Sequence, residues 1–134
     1  MLLCFAVDKC AVSPTGDRLY IISRYQHKLL TLARDGTHLA TYTDPALEYP
    51  HGLHVTPAGQ VLVCGRVTTV LQVGWEGQSK LATLATLERD GVWLPWSVYY
   101  SSTTSSIIVG QCLDDNILVF RVEQCVHVCI SCSN

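Results

Sequence analysis

Three groups of residues in this chain have the types and spacing that metal binding would use. His51 and His54, with Glu48 just upstream, offer two imidazoles and a carboxylate in one short segment. Zinc takes such donors, but they must converge tetrahedrally. His51-Gly52-Leu53-His54 reads as extended chain, where side chains alternate faces and residues three apart point to opposite sides. The expectation is therefore a strand-entry, channel-lining role. Cys125, His127, Cys129 and Cys132 form the second group. Their spacing is cramped for a structural zinc, with no second pair nearby. The alternation of Val126, Val128 and Ile130 describes a strand equally well. Asp114-Asp115-Asn116 is the third group. Calcium needs oxygen ligands from all sides, which one acidic loop cannot supply, whereas Asp and Asn are ordinary turn formers. No metal and no cofactor is predicted.

The chain contains no Gly-x-Ser-x-Gly elbow, no phosphate-binding Gly-Lys-Ser/Thr loop and no His-Glu-x-x-His, and no base–nucleophile pair at a spacing that argues for catalysis. The expectation is a non-enzyme. The aromatic residues are the stronger candidates. Trp93-Leu94-Pro95-Trp96 and Tyr49-Pro50-His51 occupy equivalent connecting segments, and exposed aromatics beside Pro and His are common binding hot spots. The alternative is that both tryptophans wedge between layers of the core. Trp75, in the Gly74-Trp75-Glu76-Gly77 turn, is hard to bury. Arg24 and Arg66 recur at matching loops and could grip an acidic partner, or simply be solvated.

The elements that carry these residues form an internal repeat. Cys10-Ala11-Val12-Ser13-Pro14-Thr15-Gly16 is echoed by Leu53-His54-Val55-Thr56-Pro57-Ala58-Gly59. The apolar runs Leu19–Ile22 and Val61–Cys64 follow, and a third run, Ile107–Val109, follows the polar turn Ser101–Ser106. Each unit then adds another β-rich run: Lys28–Leu32, Val70–Val73 and Asn116–Phe120. Asp35-Gly36 and Glu76-Gly77 turn the chain into Leu39–Tyr42 and Leu81–Leu84. Short β-branched runs separated by Gly, Pro, Asp and Ser are strands and turns. Four such strands recurring roughly every 40 residues describe a propeller blade. A second Arg-Asp-Gly, at Arg89-Asp90-Gly91, is out of register and is assigned to the connection between units.

The units resemble NHL repeats. Pro50-His51-Gly52-Leu53-His54-Val55 is similar to the Pro-x-Gly-Val-x-Val opening of such a repeat. Gln26-His27-Lys28-Leu29-Leu30-Thr31-Leu32 is similar to its Asn-His-Arg-Ile-x-Val-Phe segment, and Asp115–Phe120 holds the same place in unit three. The likeness runs from Lys9 to Glu123 and resembles the C-terminal half of the propeller in tripartite-motif (TRIM-NHL) proteins. The resemblance implies a surface that selects a protein substrate or adaptor, as in ubiquitin ligases of that family. It also implies two rival readings: an RNA-binding face, and a calcium-dependent lactonase-like hydrolase. The RING, B-box and coiled-coil segments of those ligases are not in this chain, so no ligase activity is assigned.

The predicted fold is all-β: a partial propeller of about three four-stranded antiparallel blades, an open arc rather than a closed ring. Residues 1–8 are expected to be the outer strand of a missing preceding blade. Blade 1 is placed at 9–44, blade 2 at 45–85, an incomplete blade 3 at 86–123, and a Cys-rich tail or edge strand at 124–134.

Composition narrows the partners. With 134 residues, 49% hydrophobic and 15% charged, the chain can bury a real core. A net charge of −2, with Lys and Arg scattered, makes RNA an unfavoured partner and a protein the favoured one. Met1–Val7 is too short and lacks the basic flank of a signal peptide, and no stretch is long enough to span a membrane. Seven cysteines cannot all pair, and several sit in apolar runs. A reduced, cytoplasmic setting is expected. Three blades leave two apolar faces uncovered, so self-association is also expected.

Overall fold

The computed structural model describes residues 7–65, 68–122 and 128–130, with backbone placement for 122 and 128–130. Its body is three four-stranded antiparallel sheets, none closed into a ring. The first contains β1 (Lys9–Val12), β2 (Arg18–Ser23), β3 (Lys28–Ala33) and β4 (His38–Tyr42), ordered as in sequence. The second contains β5 (Gly52–Val55), β6 (Val61–Cys64), β7 (Thr69–Val73) and β8 (Lys80–Thr86). The third contains β9 (Pro95–Ser101), β10 (Ser106–Gln111), β11 (Ile117–Val122) and β12 (Val128–Ile130). The partial propeller expected from the repeat is the fold observed.

Turn chemistry sets the registers. The β1–β2 and β5–β6 turns close in the same way, with the Gly16 amide donating to the Ser13 carbonyl and the Gly59 amide to that of Thr56. Gly16 and Gly59 have φ of 77° and 89°, a region where a Cβ is costly. The β9–β10 turn lacks a glycine, and Ser105 takes the left-handed position at φ 50°. The polar Ser-Thr run thus does the work of the Pro-x-Gly turn.

Two findings concern the ends of the arc. Val128–Ile130 adds a fourth strand to the third unit, with Cys129 opposite Arg121, which is the edge strand offered as one of the two expectations for 124–134. Residues 1–6 of the segment assigned to an earlier blade lie outside the described residues; its last residue, Asp8, continues β1, its amide donating to the Ile22 carbonyl at 3.0 Å. The out-of-register Arg-Asp-Gly lies in the junction, as expected, where it forms the single helical turn α1 (Leu87–Asp90). Thr86 caps its start and Gly91, at φ 74°, its end.

The core lies in two layers between three blades. Blade 2 alternates: Val61, Val63, Leu71 and Val73 pack with Tyr20, Ile22, Leu29, Tyr42 and Leu47 of the blade 1 side. Leu62, Cys64, Val70, Leu84 and Ala85 pack with Val92, Val98, Ile107, Val109, Leu118 and Phe120 of the blade 3 side. Burial of each such side chain contributes about 1.5–3 kcal/mol. The central blade is therefore apolar on both faces, which is why β6 reads as a continuous apolar run rather than an alternating one.

The outer blades have one covered face each. On the far side of blade 1, Cys10 and Val12 pair across the sheet with Ile21 and Leu19, and both Cys10 and Val12 are exposed. On the far side of blade 3, Tyr99 and Ile117 are exposed beside Ile108 and Val119.

Candidate functional site

The blade junctions and the β2–β3 type loops lie at one end of the arc, and the β1–β2 and β3–β4 type turns at the other. The junction end collects most of the aromatic residues singled out from sequence. Two junctions end alike: Tyr49-Pro50-His51 enters β5 with Tyr49 at φ 47°, and Leu94-Pro95-Trp96 enters β9 with Leu94 at φ 49°. A left-handed, non-glycine residue is uncommon, and two at one repeat position mark a shared, held conformation.

Register makes the equivalence explicit. The His51 amide donates to the Cys64 carbonyl at 3.1 Å just as the Asp8 amide donates to that of Ile22. Ser97, like Lys9 and Gly52, is the first residue of the regular ladder, opposite Gly110. Asp8, His51 and Trp96 therefore hold the same place in three successive blades. In the third, Gln111 lies opposite Pro95, so Trp96 is the extra residue of a β-bulge. Bulges re-aim side chains, and here the indole lands flat on the His51 imidazole. The ring centroids are 3.9 Å apart and the planes 14° from parallel.

One step along the same strands, His54 meets Tyr99 with centroids 4.5 Å apart. The two histidines, expected to diverge to opposite sides, both meet rings of β9; His51 sits one residue before β5, outside its alternation. β5 and β9 come this close because residue 52 is glycine: a Cβ there would stand 3.1 Å from Ser97 Cα and from the Trp96 carbonyl oxygen. Burial, and secondarily the Arg24 charge, lower the pKa of His51. Burial lowers that of His54, opposed in part by a hydrogen bond with the Tyr100 backbone. Both rings are neutral at pH 7.

The blade 1 loop completes this end. Arg24 donates from Nε to Asp8 Oδ1 at 3.1 Å and from its backbone amide to Oδ2 at 2.7 Å. Its guanidinium lies 5.3 Å from the ring centre of Tyr25. The Tyr49 amide donates to His27 Nδ1, and the His27 and Tyr25 rings both approach Tyr49 edge-on. Trp93 is fixed by its amide, which donates to Gln111 Oε1 at 2.8 Å. The wedge alternative for the tryptophans is corrected: Trp93 and Trp96 are 48% and 41% exposed. Pro95 and Val92 fill the buried places between them.

Arg24, Tyr49, His51 and Trp96 thus gather at one end with Trp93. Arg66 lies outside the described residues, as do Cys125, His127 and Cys132 and the side chain of Cys129. Asp114 uses its carboxylate in its own turn, accepting the Asn116 amide and a Gln111 Nε2 hydrogen bond. Among the described residues, no three His, Cys, Asp or Glu side chains converge as a metal site, and no helix is long and apolar enough to cross a membrane. Sequence reasoning missed Asp8, Tyr25, His27 and Tyr99. Asp8 was legible once Asp8-Lys9 is aligned with His51-Gly52; Tyr99 was not, because its partner stands on another blade.

At the opposite end, a shallow pocket of about 260 Å³ lies between the turns of blades 1 and 2. Trp75 stands beside it, 51% exposed, with the Arg18 guanidinium 4.4 Å above its ring. Its carbonyl accepts the Tyr20 hydroxyl at 2.6 Å.

Known proteins give a fold and no more. No family model and no curated protein matches the chain. Among solved structures it is similar to hydrazine synthase of Kuenenia stuttgartiensis, with TM-score 0.74 and 19% identity over 92% of this chain and 34% of that one. It is also similar to a Bacteroides caccae protein of unknown function, with TM-score 0.64 and 16% identity over 90% of this chain and 44% of the other. The chain spans less than half the length of either. Both neighbours support a propeller-like arrangement of four-stranded sheets.

Proposed function

We propose that the chain is a noncatalytic protein-interaction module whose junction end recognises a protein substrate or adaptor, in a reduced cytoplasmic setting, as the resemblance to TRIM-NHL propellers implies. The observation that carries this reading is Trp96. Its indole is 41% exposed yet held rigidly by a bulge and by the His51 stack. A large ring presented at little entropic cost is what interface anchors are made of. Trp93 and Tyr25 add exposed aromatic surface at the same end.

The stacked rings also favour the RNA reading, because bases stack on such platforms. The net charge of −2 favours a protein. A photo-crosslinking side chain installed at Trp93, with the same group at Trp75 as the opposite-end control, tests the reading. A protein adduct formed from position 93 and not from 75 supports it. Adducts to RNA alone, or equal protein adducts from both ends, overturn it.

A further inference from the structure

Both blade junctions are built from the same two strand positions. Lys9, Gly52 and Ser97 open the inner ladders opposite Ile22, Cys64 and Gly110. Tyr20, Leu62 and Ile108 each stand two residues before those partners, and Leu19, Val61 and Ile107 three. Tyr20 shares the core between blades 1 and 2 with Val61. Leu62 shares the core between blades 2 and 3 with Ile107. A junction therefore joins the Tyr20 position of one blade to the Leu19 position of the next. One of each is left over, Ile108 on blade 3 and Leu19 on blade 1, and both are half-buried. Exposed Tyr99 and Ile117 lie beside the first, and exposed Cys10 and Val12 beside the second. We propose that these faces are the two halves of one more junction, through which two copies of this chain join head to tail in a closed six-bladed ring.

The number of copies follows from the number of blades. Propellers close with about four to eight blades, and six is the one multiple of three in that range. In such a ring a two-fold axis runs along the propeller axis, and blade 3 of each copy meets blade 1 of the other. One encounter thus forms two junctions and covers all four apolar faces. Head-to-tail contacts that did not close would grow into filaments instead. Charge does not oppose the meeting. Alternation puts Arg121 on the open face of blade 3 with Ile117 and Val119, at the turn end of the strand, where it pairs with Ser106. It puts Lys28 on the open face of blade 1 at the loop end, opposite Ser23. The two cations stand at opposite ends of the arc, so they stay apart when the faces join.

The experiment is native mass spectrometry and sedimentation velocity of the full chain over a concentration series, with alkylation of Cys10 reporting on the blade 1 face. A dimer is expected as the largest species. Cys10 is expected to be labelled in the dilute monomer and at least about tenfold more slowly in the dimer, where the junction limits access. Val12→Lys and Ile117→Lys are each expected, alone, to weaken dimerisation at least about tenfold, because every new junction uses both faces. Pairing of like faces would be weakened by only one of the two. Stoichiometry and Cys10 labelling use the unaltered chain, so they stand even if a variant fails to fold. Species larger than two copies, unchanged Cys10 labelling in the dimer, or a variant that dimerises as the wild type does overturns the ring. A chain that stays monomeric throughout leaves the faces to another partner and overturns it too.

Discussion

His51 and Trp96 occupy the same register position in neighbouring blades and lie ring on ring, 3.9 Å apart. The contact exists because two local irregularities coincide. A left-handed residue before each proline delivers the chain into the inner strand, and the bulge opposite Gly110 and Gln111 turns the indole sideways.

The first prediction concerns pH. Both His51 and His54 have pKa values below the ordinary 6.5 in the folded chain, mainly through burial. As pH falls through that ordinary value the unfolded chain takes up protons first, so stability is lost on acidification until the folded pKa values are passed. The melting temperature is expected to be flat above pH 7 and to fall between pH 7 and 5. The double variant His51→Gln/His54→Gln should show a shallower fall in the same window. Asp8, Arg24 and Lys9 also act on His51, less than burial does. Calorimetry across the two chains checks it.

A second prediction concerns Gly52, whose backbone is approached by β9. A Cβ at this position would meet Cys64 Sγ at 2.9 Å and two backbone atoms at 3.1 Å, and the backbone cannot move as a side-chain tip can. Gly52→Ala should destabilise the chain by about 1–3 kcal/mol, the usual cost of overpacking. It should also separate His51 from Trp96, seen as a change in tryptophan emission. Gly36→Ala is a useful contrast: its Cβ would meet nothing, and only its φ of 90° opposes the change.

Much of this was legible in the sequence, and for a definite reason. Strand alternation and turn chemistry are local, so the repeat placed β1 to β8 and the run through β10 and β11. Val126, Val128 and Ile130 raised the possibility of an outer strand for the third blade, and Val128–Ile130 forms it. The site was half legible. Tyr49, His51, Trp93, Trp96 and Arg24 stand in junctions and loops that the repeat identifies. Their pairings cross between blades, and side-chain contacts of that kind leave no periodic trace. His54 was visible as a residue, while its contact with Tyr99 required the third dimension.

A third prediction concerns the thiols. Cys64 is fully buried between blades 2 and 3, and that burial pushes its pKa up to about 12. Thiolate is the reactive form, so Cys64 is protected twice, by access and by protonation. Exposed Cys10, on the open face of blade 1, has no protection from packing. Mass-spectrometric alkylation at pH 8 should label Cys10 in the folded chain and Cys64 only on unfolding. Cys64→Ser should cost about 1–3 kcal/mol, because a buried hydroxyl there would lack a partner.

The last prediction follows from comparing the central blade with its neighbours. In β6 all four side chains are buried, because blade 2 is sandwiched. The outer blades have the same apolar alternation with nothing among the described residues against one face: Val12 is 51% exposed on blade 1, and Ile117 is 51% exposed on blade 3. Contiguous apolar patches of a few hundred Å² or more are uncommon on soluble monomers and mark contact surfaces. The chain is therefore expected to associate with itself in a concentration-dependent way, measurable by sedimentation velocity. Val12→Lys together with Ile117→Lys should shift it toward monomer, since a charged side chain on each face must be desolvated for the faces to meet. Both positions are solvent-exposed in the single chain, so the melting temperature of the monomer should change little. A wild-type chain that stays monomeric at the highest concentration reached would show that the open faces do not drive association.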